Sequence, residues 1–162
     1  MPKTEIDFPE LLKALSAAGV DYIVVGGVCA VLHGAPLSTF DLDLVYSRDR
    51  ENLVRLDQAL KELESHYRMK PEAAPDAHLL DGPGHHLLMT RLGPLDLLGS
   101  TVGGEGYQEL IAHTETVDLG VGKTVRILDL PTLIRIKQSL ARDRDLAVLP
   151  ILKKTLEEKG KK

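Results

Sequence analysis

The chain has 162 residues, 43% hydrophobic and 27% charged, with a formal net charge of −4; this suits one globular domain with a real core and gives no general pull towards nucleic acid or an anionic membrane. Lone Cys29 excludes an internal disulfide framework and a cysteine zinc site, and no apolar run nears the roughly 20 residues of a membrane span. The opening Met-Pro-Lys-Thr-Glu is no signal peptide, so a cytoplasmic protein is expected, and with no Trp and two Phe platforms for stacking bases are scarce.

Leu11, Leu12, Leu15 and Ala18 fall at helical spacing, which predicts a helix over 8–18 stopped by Gly19. Tyr22 to Val25 is a short β-branched and aromatic run, read as a central strand apolar on both faces. Gly26-Gly27 ends it, Val28 to His33 makes a short helix, and Gly34 punctuates that helix. Pro36 to Thr39 is a turn, and Phe40 to Val45 alternates as a strand, with Phe40, Leu42 and Leu44 expected on the core face. Arg48 to Tyr67 reads as a helix with Leu53, Leu56, Leu60 and Leu63 on one face. His78–Leu80 and His85–Arg91 read as short strands around Asp81-Gly82-Pro83-Gly84, Gly93-Pro94 as a turn, and Leu95–Leu98 as a further strand. A glycine-rich loop spans 99–106, and 107–113 fits either a short helix or a strand. A hairpin joins Val117–Leu119 to Val125–Ile127; Asp129 caps a helix to about Arg142, and a last helix covers 145–158, either separate or the second half of one interrupted helix. The expected fold class is therefore α+β, a mixed sheet flanked by helices. One domain spans 1–162, with a core at about 20–128 and C-terminal helices at about 129–158.

Asp41 and Asp43 stand two apart on the predicted strand, so both point to one face, about 6.5–7 Å from each other. Two carboxylates so placed can bridge one hard cation or share two; the same spacing also fits two aspartates facing solvent. Gly26-Gly27 stands between a buried strand and a helix, where bare backbone amides can approach a phosphate closely; it also fits a plain tight turn. Asp96 lies between apolar neighbours on a later strand. If that strand runs beside the first, three carboxylates converge.

This set resembles the polymerase-β-like nucleotidyltransferase superfamily, with its Gly-Gly, Asp-x-Asp and later third carboxylate. More closely, Gly26, Gly27, His33, Gly34, Thr39, Asp41 and Asp43 resemble the minimal nucleotidyltransferase and abortive-infection toxin group. Lys137, Arg142 and Asp145 match that group's C-terminal helical motif, with Arg144 in place of a lysine. The resemblance implies the nucleotidyltransferase fold and transfer of a nucleoside monophosphate from a nucleoside triphosphate to an acceptor hydroxyl. It implies Mg2+ or Mn2+ on Asp41, Asp43 and Asp96, with Asp96 as the base. It also implies nucleotide and phosphate contacts from Gly26, Gly27, Ser38, Thr39, Lys137 and Arg142. The acceptor is an RNA, a protein or a small molecule, and an antitoxin or a second copy of the chain is the partner to look for. Val28 replaces a frequent Ser and Leu37 replaces a usual Arg. These departures favour a second reading, a catalytically weak nucleotide- or partner-binding protein of the same fold, one form of which is a toxin–antitoxin component.

Other motifs carry less. Gly120-Val121-Gly122-Lys123-Thr124 resembles the end of a P-loop but lacks its first glycine and precedes a strand, so a hairpin turn is expected. His78, His85 and His86 lack the helical spacing of a zinc pair. His33 and Cys29 are read as packing residues.

Overall fold

The computed structural model describes residues 6–120 and 123–161. Its centre is a seven-stranded mixed sheet in the order β3-β4-β5-β2-β1-β7-β6. The strands are β1 (Tyr22–Val25), β2 (Leu42–Tyr46), β3 (His66–Tyr67), β4 (His85–Thr90), β5 (Gly93–Leu98), β6 (Thr114–Asp118) and β7 (Thr124–Leu128). The helices are α1 (Phe8–Ala17), α2 (Gly26–Leu32), α3 (Arg50–Glu62), α4 (Ala77–Leu80), α5 (Tyr107–Leu110), α6 (Leu130–Leu140) and α7 (Asp143–Gly160). This is the expected α+β arrangement, and none of these helices is long and apolar enough to cross a membrane.

The two faces of the sheet follow from the period-two alternation of its strands. Tyr22 and Val24 of β1, Leu42, Leu44 and Tyr46 of β2, and Leu95 and Leu97 of β5 point to one side and are buried. The phenol of Tyr22 donates to the Leu12 carbonyl in α1, and that of Tyr46 to the Leu80 carbonyl in α4. That face is therefore the one closed by α1 and α4. The opposite face carries Val25, Asp43 and Asp96, side by side on three adjacent strands.

Helix ends obey local chemistry. Gly19 and Gly34 take positive φ, the left-handed conformation that closes α1 and α2. Asp129 Oδ1 accepts from the Thr132 amide at 2.8 Å and starts α6, with Pro131 in its first turn. Ala141, at φ +50°, divides α6 from α7, so the C-terminal segment is two helices.

Four expectations are corrected. The long helix stops at Glu62 rather than running to Tyr67. Glu64 adopts φ +55°, Ser65 N–H bonds back to the Leu60 carbonyl, and His66–Tyr67 turn out to join the sheet edge. The leucine periodicity ended at Leu63, and nothing apolar remained to hold a further turn. His78–Leu80 is a turn of helix, because Asp76 accepts from the Leu79 amide as an N-cap. Phe40 is 81% exposed, not core, since β2 begins only at Leu42 and residues 40–41 form a bend ahead of it. The turn at Gly93-Pro94 also moves: both residues already pair with β4, and Arg91-Leu92 makes the connection. Residues 107–113 are helical, α5 followed by a 3-10 turn. The strands around Gly120 to Thr124 form the expected hairpin, with residues 121–122 outside the described ones.

Candidate functional site

β2 and β5 are parallel neighbours in a register that sets Asp43 directly beside Asp96. Asp41 sits at the bend just before β2, and one carboxylate oxygen from each of Asp41, Asp43 and Asp96 lies within 4.8 Å of the others. The three aspartates singled out from the sequence thus converge. Asp41 does so from the bend rather than from the strand.

The cluster is short of positive charge. Among the described residues the ion pair onto it comes from Arg68, whose Nη2 donates to Asp96 Oδ1 at 2.5 Å. Burial, then a proton shared with Asp96 and the Asp96 charge, raises Asp41 to about 6. Burial, then the charges of Asp41 and Asp96, pushes Asp43 up to about 8. With Asp41 and Asp43 both held above the usual carboxylate range, this is a donor set that a divalent cation would satisfy in place of protons. All-oxygen, hard and compact, it fits Mg2+ or Mn2+ and not a soft metal.

Gly26 is fixed by two independent constraints. Its φ is +70°, and a Cβ there would lie 2.1 Å from Asp43 Oδ2. A side chain would need both a disfavoured backbone and the space of the carboxylate. A Cβ at Gly27 would come within 2.7 Å of Thr39 Oγ1, so the 36–39 loop lies over the start of α2. The Thr39 hydroxyl donates to the Asp41 carbonyl at 3.1 Å, which ties that loop to the carboxylates. No side chain caps the first amides of α2. Ser38 is exposed on the same loop.

Lys137 and Arg142 meet at Asp145, whose side chain is 0% exposed. Lys137 Nζ donates to Asp145 Oδ1 at 3.2 Å and Arg142 Nε to Oδ2 at 2.6 Å. Burial alone would raise Asp145, but the hydrogen bonds from Arg142 and Lys137 outweigh it and hold the carboxyl at about 2. Both cations stand near enough to Asp43 to interact with its charge, and Arg144 acts on Asp41 in the same way. The C-terminal helices therefore present cations to the carboxylates, and Asp145 organises two of them.

Sequence reasoning missed Arg68. It lies just beyond the stretch read as helix, with no motif to mark it, and only the pairing of the 66–67 edge strand with β4 brings it within reach of Asp96. His33 and Cys29 are packing residues, as expected: His33 Nε2 donates to the Leu128 carbonyl at 2.8 Å while Nδ1 accepts from Lys159, and Cys29 Sγ also donates to Leu128. A groove of about 490 Å³ runs between Gly34–Pro36 and α7, and none of the three aspartates lines it.

No protein-family model matches the chain, and no curated protein matches it by sequence. Solved structures of similar shape include two nucleotidyltransferase-type proteins. One is the lincosamide antibiotic adenylyltransferase LnuA with lincomycin bound, 12% identical, with a TM-score of 0.61 over 93% of this chain and 98% of that one. The other is a Thermotoga maritima protein proposed to be a nucleotidyltransferase, 17% identical, with a TM-score of 0.53 over 95% of this chain and 97% of that one. At these identities the likeness is one of fold: the chain has the nucleotidyltransferase fold.

Proposed function

We propose that this chain, acting as a single domain, is a metal-dependent nucleotidyltransferase that moves a nucleoside monophosphate from a nucleoside triphosphate to an acceptor hydroxyl. The observation that carries this reading is the meeting of Asp41, Asp43 and Asp96 on one sheet face within 4.8 Å, in a chain with this fold. Asp41, Asp43 and Asp96 would hold Mg2+ or Mn2+, which supplies neutralisation of the triphosphate charge when bound.

The remaining roles belong to the chain. Gly26 and Gly27 let backbone approach the phosphates, beside Ser38 and Thr39, and Lys137 and Arg142 face them from the C-terminal helices. Asp96 accepts the acceptor's proton as its oxygen bonds the α-phosphorus and pyrophosphate departs. Catalysis of this kind is mainly positioning and charge neutralisation. Incubation with each labelled nucleoside triphosphate, Mg2+ and a cell extract should yield a labelled product that Asp43→Asn abolishes. No product with any nucleotide would count against transfer.

The second reading, a binding protein of this fold with little catalysis, is favoured by Leu37, which packs against the hydrophobic core where a phosphate-binding cation would otherwise stand. Nucleotide binding that ignores both Mg2+ and Asp43→Asn would support it. A toxin–antitoxin role and a cytoplasmic location belong to these proposals, and co-purification of a partner chain tests the former.

A further inference from the structure

The face that carries the aspartates is covered over only part of its width. On β4 the residues turned to the other face, Leu88 and Thr90, are only 0% and 1% exposed, whereas Leu87 is 43% exposed. Leu87 stands directly opposite Asp96, and Met89 opposite Pro94, on this same face. Leu98, two residues beyond Asp96, also faces this way and, like Met89 and Pro94, is half-buried. Arg68 crosses this surface to reach Asp96, anchored on the way by the Leu88 carbonyl. The result is an apolar platform of Leu87, Met89, Pro94 and Leu98 against the third carboxylate.

Its position relative to the reaction follows from the strand order. Gly26 borders Asp43 on one flank of the carboxylate row, and Leu87 borders Asp96 on the other. Attacking and leaving oxygens lie roughly in line on opposite sides of the phosphorus. With the triphosphate on the Gly26 side, the acceptor must arrive over β4. This step rests on the transfer reading above.

We propose that the β4–β5 platform binds the acceptor, and that the acceptor is a neutral or anionic small molecule with an apolar face and a nucleophilic hydroxyl. Charge argues against a polycation: stretches 66–70 and 85–98 contain one carboxylate, Asp96, alongside Arg68, Lys70 and Arg91. Size argues against a protein, since stable interfaces engage roughly 20–30 residues a side and this platform offers a handful. The absence of Phe, Tyr and Trp from β4 and β5 argues against single-stranded nucleic acid, which is held by aromatic stacking.

The test uses the full chain with Mg2+ and an α,β-methylene nucleotide analogue, and follows backbone amides by NMR. The probes are 2-naphthylmethanol, the polycation neomycin and a short single-stranded RNA. 2-Naphthylmethanol should shift amides of 85–98, and the uncharged Leu87→Asn should weaken it by about tenfold or more while nucleotide affinity stays within about twofold. Leu87→Ser should act in the same direction, and Val54→Asp, on the exposed side of α3, should change neither. Shifts confined to another surface, or tighter binding of neomycin or RNA on these strands, would overturn the proposal. So would equal weakening of the nucleotide by the uncharged Leu87→Asn and Leu87→Ser, which would place the nucleobase there. A wild-type chain that binds no nucleotide with Mg2+ would overturn the transfer reading itself, and the acceptor assignment with it.

Discussion

Asp43→Asn should stabilise the metal-free protein in mildly alkaline solution. Unfolded, Asp43 ionises near 3.8; folded, it holds its proton to about 8, first because it is buried and then because Asp41 and Asp96 repel its charge. Between those values the native state binds more protons than the unfolded state, so stability falls as pH rises and levels off above about 8. Roughly four decades of proton affinity correspond to a ceiling of about 5–6 kcal/mol at about 1.4 kcal/mol per decade. Burial is the first cause, and an asparagine amide is also buried at a cost, so only part of that returns. A gain of about 1–3 kcal/mol is expected at about pH 8.5, or about 2–12 °C for a chain of this size. Near pH 5, little more than one decade above the unfolded value of 3.8, the gain should shrink to about a third of that or less, and it vanishes below about 3.8. Thermal melts of both proteins with EDTA at the two pH values measure this. Adding Mg2+ reverses the order, because the wild type gains binding free energy, about 2.7 kcal/mol at a hundredfold excess over Kd, and the variant does not. A variant destabilised equally at both pH values would refute the reasoning, since the carboxylates would then not be repelling one another.

Three further outcomes follow from the same geometry. Gly26→Ala should lower stability by about 1–2 kcal/mol through its left-handed backbone alone and should weaken Mn2+ binding by displacing Asp43, read by calorimetry; unchanged binding would mean the carboxylate has room the structure does not show. Asp145→Asn leaves the partly exposed Lys137 and Arg142 without their carboxylate partner and should cost about 1–2 kcal/mol, a fall on the order of 2–8 °C. The wild-type contribution of Asp145 is present above about 3.8 and is lost as pH falls towards 2, so the two proteins should converge in acid denaturation; divergence there would count against it. Arg68→Met removes the guanidinium paired with Asp96 and should tighten Mn2+ binding severalfold by removing a competing cation; weaker binding would show that Arg68 orients the site rather than neutralises it.

Much of this was legible in the chain itself, for reasons that are local. Leu11, Leu12 and Leu15, Gly19, Gly34 and Asp129 predicted helices and their ends because caps and periodicity act over a few residues. The apolar run Tyr22–Val25 announced a strand buried on both faces. The errors were at edges: Phe40 kept the alternating pattern but lies ahead of β2, and Tyr67 continued a helix that had lost its apolar face at Leu63. What local pattern could not decide was which strands are neighbours. Asp43 beside Asp96, Arg68 reaching Asp96 and Leu87 flanking it are all products of strand order and register. Local spacing determined which side chains could carry charge or capture a cation. Only the folded sheet decided that three of those charges share one small volume, because their repulsion is held in check by burial energy gathered from the whole chain.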